Sequence, residues 1–90
     1  MDVNIARAEK AQRLLEDPEF QAAFIAVKDS IISRIEGCPV RDMDGLHDLH
    51  LMLKLLNDVR ANIVSVINTG KITQDRINWL ERVKRGVIRA

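Results

Sequence analysis

The chain has 90 residues, with 14 basic and 13 acidic side chains, 47% hydrophobic content and only 3% aromatic content. That length fits one domain with a small core, and a net charge of +1 singles out no nucleic-acid, membrane or acidic partner. Cys38 is the only cysteine, which excludes an intrachain disulfide.

Tyrosine is absent and no polar–apolar alternation is sustained, so strands are poorly encoded. A core of Leu, Ile, Val and Ala suits helices, whose aliphatic ridges interdigitate. No apolar run approaches the roughly 18 residues of a membrane span. The start, MDVNIARAEK, lacks a signal-peptide apolar region. A soluble chain without an export signal is expected.

In chain order, residues 3–16 predict a first helix, with Asp2 or Asn4 as its cap. Ala8, Ala11 and Leu15 form a thin apolar stripe, and its small residues would let another helix approach closely. Asp17-Pro18-Glu19 reads as a break and a restart. The residue before a proline is pushed out of helical geometry, while Asp17 can cap and Pro18 can open the next helix. That second helix is predicted over 18–36, stopped by Gly37. Its main stripe is Phe20, Phe24, Val27, Ile31 and Ile35. Ile25 and Ile32 lie off the stripe and point to a second contact.

Residues 37–43 form a connection, after which Asp42 or Asp44 can cap a long third helix. The stretch 46–69 contains no Gly or Pro. On it Leu49, Met52, Leu53, Leu55, Leu56, Val59, Ile63, Val66 and Ile67 occupy one half of a helical wheel. That apolar half is too wide for one partner helix. Thr69-Gly70-Lys71 predicts a stop with Gly70 in the left-handed position. A fourth helix is then expected over 73–88, capped by Thr73 and stapled by Ile72 and Ile77. Ile77, Leu80, Val83 and Val87 are expected to face inward, with Trp79 at the edge. The expected architecture is an all-α, four-helix single domain over residues 1–90, dominated by an antiparallel hairpin of the second and third helices.

Candidate chemistry is sparse. His47 and His50 share a helix face, with Asp44 and Asp48 beside them. A zinc site needs three or four ligands in a shaped arrangement, and HDLH is not HExxH. Cys38 lacks an evident base unless His47 reaches it. No glycine-rich phosphate loop exists. The expectation is a non-enzyme with no catalytic residue, metal, cofactor or small-molecule substrate. Arg60 falls within the apolar arc of the third helix. Its head must either reach water along an apolar stem or pair with Glu16, Asp29 or Glu36. Residues 71–90 carry six basic against two acidic side chains, and Arg82, Arg85 and Arg89 line up with Asn78. Such a stripe can hold phosphates or an acidic protein surface.

Two segments carry a resemblance. AQRLLEDPEFQAAF (11–24) and PVRDMDGLHDLHLMLKLLNDVR (39–60) show LL-acid-x-P-x-F, then P-x-R-D-x-x-G, then the run Leu51-Met52-Leu53-Lys54-Leu55-Leu56. Together they resemble a group of small helical proteins of tailed bacteriophages, whose reading frames often sit among packaging and head genes. Where that group often has an aromatic residue, this chain has His50. The resemblance implies a virion or assembly component, in the virion or the host cytoplasm.

The favoured expectation is therefore a phage assembly protein that contacts copies of itself or a larger head or portal-region protein. Ile25, Ile32, Leu55, Val59, Val66 and Trp79 are the candidate contacts, with Arg82, Arg85 and Arg89 adding orientation. The alternatives are a DNA-binding packaging accessory that uses the three arginines, and a small inhibitor of a host protein.

Overall fold

The computed structural model describes residues 2–89, with side chains to residue 86. Among the described residues it is all-helical, with three helices: α1, Val3–Glu16; α2, Pro18–Gly37; and α3, Met43–Arg89. Each start has a local cause. Asp2 accepts from the Asn4 amide at 2.8 Å, Asp17 from those of Glu19 and Phe20 at 2.8 and 3.1 Å, and Asp42 from that of Gly45 at 3.0 Å. These carboxylates satisfy amides that the first helical turn leaves without partners.

Asp17 separates α1 from α2 by one residue. Its extended backbone ends α1, while its side chain begins α2. Gln21 reaches back from α2 to donate to the Leu15 carbonyl at 2.7 Å, closing the end of α1. At the far end of α2, Gly37 is the last helical residue and lies at the expected stop, but not in a left-handed conformation. No described glycine has positive φ. The helix ends because Cys38 turns extended before Pro39.

The main departure from expectation is at Gly70. The predicted stop, fourth helix and staple are absent, and α3 runs unbroken for 47 residues, about 70 Å at 1.5 Å per residue. Thr69 and Thr73 do not cap. Their hydroxyls donate within the helix, to Ser65 and Thr69 carbonyls at 3.0 and 2.9 Å. Gly70 is buried because α1 crosses it. A Cβ there would overlap that of Ala8 and come within 3.0 Å of the Asn4 carbonyl oxygen. The glycine serves close helix approach, and the small-residue stripe of α1 is what meets it.

Both short helices pack on α3. Phe20 and Phe24 share a hollow with Arg60, Ile31 shares one with Met52, and Ala8 crosses Gly70. Numbers thus fall along one side of the path as they rise along the other. The closer packing is that of α1 on α3, not of α2 on α3, because alanine and glycine at the crossing leave no side chains to hold the backbones apart.

The core is thin. Among the described residues Ile31 and Ile67 are the buried large side chains, at 8% and 9% exposure. Leu15, Phe20, Phe24, Ile35, Leu49, Leu53, Leu56 and Ile63 are half-buried around them. The Phe20 and Phe24 rings lie 6.3 Å apart and tilted. Val27, expected inward, is exposed. The molecule measures 73 × 26 × 16 Å with a radius of gyration of 20.6 Å, against roughly 12 Å for a compact chain of this length.

Candidate interaction surfaces

Helical periodicity sorts the apolar side chains of α3 into covered and uncovered faces. The covered face carries Leu46, Leu49, Leu53, Leu56, Ile63 and Ile67, all buried or half-buried where the shorter helices pack on α3. About a quarter-turn away, Met52, Leu55, Val59 and Val66 recur at spacings of three, four and seven, as residues sharing one helix face do. Leu55 and Val59 are each 56% exposed, Met52 is exposed, and Val66 is half-buried where α1 comes alongside. Val27 and Met52 line one shallow groove between α2 and α3. On α2, Ile25 is exposed, whereas Ile32 is half-buried.

A second uncovered face lies past the α1 crossing. There Ile72, Trp79, Leu80 and Val83 are all exposed, Trp79 at 57%. Leu80 and Val83 were expected to face inward and do not, because α1 crosses at Gly70 and no described helix covers their side of α3. Ile77 alone of that set is half-buried. The side chain of Val87 lies outside the described residues.

The uncovered area can be weighed. The molecule exposes 7251 Å², against about 5,300 Å² for a folded monomer of its mass. An excess of that order follows from the elongated shape and the thin core.

The polar candidates separate differently. Asn78, Arg82 and Arg85 share one hollow, but Asp75 and Glu81 line it too. A phosphate there would meet two carboxylates. The Arg89 side chain lies outside the described residues. Arg60 is exposed, over a hollow of about 300 Å³ formed with Leu15, Phe20, Gln21, Phe24, Ile25 and Lys28. None of Glu16, Asp29 and Glu36 lines that hollow, so the head reaches water along an apolar stem.

His47 and His50 are exposed. Among the described residues no three His, Cys, Asp or Glu side chains gather as a metal ion would require. Cys38 has Asp42 beside it: its sulfur lies 3.8 Å from Asp42 Oδ2 and 3.9 Å from the Asp42 carbonyl oxygen. Desolvation, then the Asp42 charge and hydrogen bond, push the thiol pKa up. That is the opposite of what a nucleophilic cysteine needs. No helix among the described residues is long and apolar enough to cross a membrane.

Sequence reasoning identified Leu55, Val59 and Trp79 as contact candidates but missed Ile72 and Leu80 as members of the same exposed set. The signal is present in the spacing, since Ile72 and Leu80 each lie four residues from Arg76 and Leu80 lies three from Val83, but with Gly70 as a stop Ile72 reads as a staple and Leu80 as part of the inward stripe of a separate helix. No protein-family model matches the chain, and neither a curated protein nor a solved structure matches it.

Proposed function

We propose that this chain is a non-enzymatic assembly protein that works by docking the uncovered faces of α3 against copies of itself or a larger structural protein. The observation that carries this reading is the elongated shape with two long apolar strips left open on one helix. Burying apolar surface yields roughly 25 cal/mol per Å², and part of that is consumed by lost motional freedom. The excess exposed area is large enough to leave a favourable remainder. The resemblance of 11–24 and 39–60 to small tailed-phage proteins supports a place in a virion or in head assembly, beside a head or portal-region protein. The mixed charge around Arg82 and Arg85 favours a protein surface over a nucleic acid as the partner of that end.

Small-angle scattering combined with sedimentation across a concentration series tests the reading. The expected result is an elongated particle whose mass rises with concentration or when a phage structural protein is added. Replacing Leu55, Val59 and Trp79 together by polar residues is expected to abolish that rise while helix content is kept. A monomer with a radius of gyration near 12 Å, the compact value, would overturn it. Duplex DNA titrated over a salt series gives the contrary outcome: tight binding lost steeply as salt rises would assign the arginine end to phosphates.

A further inference from the structure

We infer that residues 72–83 of α3 form an antiparallel two-helix contact with the same residues of a second copy. This rests on the assembly reading above and names one surface, its occupant and its register. The uncovered face past Gly70 is a 3-4 repeat: Ile72, Arg76, Trp79 and Val83 occupy successive seam positions, the spacing by which one helix seats in another. Ile72, Trp79 and Val83 are exposed, and Ile72, Arg76 and Trp79 line one shallow hollow with Asp75 and Arg82. On a helical wheel this seam lies well over a quarter-turn from the Gly70 face that α1 occupies. A second helix can therefore lie along it without meeting α1.

Charge decides the occupant and the direction. Asp75 and Arg82 flank the seam on one side, seven residues apart. In an antiparallel pair centred between Ile77 and Asn78, Ile72 faces the partner's Val83 and Arg76 faces the partner's Trp79. The flanking positions then bring Asp75 against the partner's Arg82, and Arg82 against the partner's Asp75. Every charged seam or flank residue finds a complementary group, since a guanidinium is attracted to an indole face. A parallel pair does the reverse: it stacks Arg76 on the partner's Arg76 in the seam and leaves Asp75 and Arg82 beside Leu80 and Val87.

Sedimentation of the full chain with charge variants is the test, with circular dichroism to verify helix content. Asp75→Arg and Arg82→Asp each set like charges together at both ends, and each is expected to weaken self-association about tenfold or more. The combined variant Asp75→Arg/Arg82→Asp restores the pairing and is expected to recover it. In a Cys38→Ser background, Ile72→Cys/Val83→Cys should oxidise to a covalent dimer, whereas Ile72→Cys alone should not. Efficient disulfide formation by Ile72→Cys alone would overturn the antiparallel register. Self-association unchanged by both single charge reversals would overturn the surface while leaving the broader assembly reading in place. A wild-type chain that stays monomeric yet elongated at millimolar concentration would overturn the inference alone; a compact monomer would overturn both.

Discussion

Replacing Gly70 by alanine pits two opposite effects against each other. In an exposed helix interior the change stabilises by up to about 1 kcal/mol, because alanine loses less backbone freedom on folding. At Gly70 the new methyl would occupy the space of the Ala8 methyl and press the Asn4 carbonyl oxygen. Neither neighbour can turn aside. Alanine has no rotamer to change, and a carbonyl inside α1 moves only with the helix. So α1 must lift, and overpacking of this kind costs about 1–3 kcal/mol. The upper end applies, because Gly70 is buried and the atoms met are a Cβ and backbone rather than the end of a flexible side chain. The expected net loss is about 2 kcal/mol, or roughly 8–16 °C in Tm for a chain of this size. The assay is a far-UV circular dichroism melt at fixed chain concentration, since association itself shifts Tm. Gly86→Ala is the internal control: nothing lies within 4 Å of a Cβ there, so Tm should hold or rise. Adding Ala8→Gly to Gly70→Ala should recover part of the loss, a non-additivity that contact between the two positions requires. A Gly70→Ala protein that melts at or above the wild-type temperature refutes the close-approach account.

Core and surface on α3 should separate cleanly. Ile67→Ala, at a buried site, should cost about 2–5 kcal/mol in a denaturant titration, whereas Leu55→Ala should leave the monomer's stability within about 0.5 kcal/mol and weaken association. Asp17→Ala removes a carboxylate that accepts from Glu19 and Phe20, with an expected loss of about 1 kcal/mol and a larger angular spread between α1 and α2 by spin-label distances. Because the Cys38 pKa is raised, with Asp42 among its causes, its alkylation rate should climb only at more alkaline pH than for an unstructured thiol. Asp42→Asn should shift that profile toward lower pH without loss of fold, since asparagine caps helices as well as aspartate; an unmoved profile would show that Asp42 does not govern the thiol.

Most of the local structure was legible because it is locally determined. The bounds of α1 and α2, the Asp17-Pro18 joint and the start of α3 follow from caps and proline sterics, each contained in a few adjacent residues. Gly70 was not legible in that way. A glycine after Thr69 has the same local signature whether it ends a helix or admits a neighbour, and only the crossing of Ala8, 62 positions away in sequence, distinguishes the two. The same misreading hid the second strip. With Gly70 as a stop, Ile72 becomes a staple and Leu80 and Val83 the inward stripe of a separate helix, whereas on a continuous rod all three face outward. Leu55, Val59 and Trp79 could be singled out because the apolar arc was visibly wider than one helical neighbour covers. Val27 illustrates the converse. Its periodicity matches Ile31, but it lies on the margin of the α2 contact, lining a shallow groove with Met52.

One helix that is braced along its first half and bare along its second has an uneven grip on its own hydrogen bonds. A lone segment of about 12–15 residues is marginal in water, so the outer turns of α3 draw their order from the turns next to Ile67 and Gly70. Amide deuterium uptake should therefore form a ramp, slow around Ile67 and progressively faster toward Arg85, all within a single element. A docked neighbour would level that ramp, and the residue at which the slope disappears would mark how far the neighbour reaches.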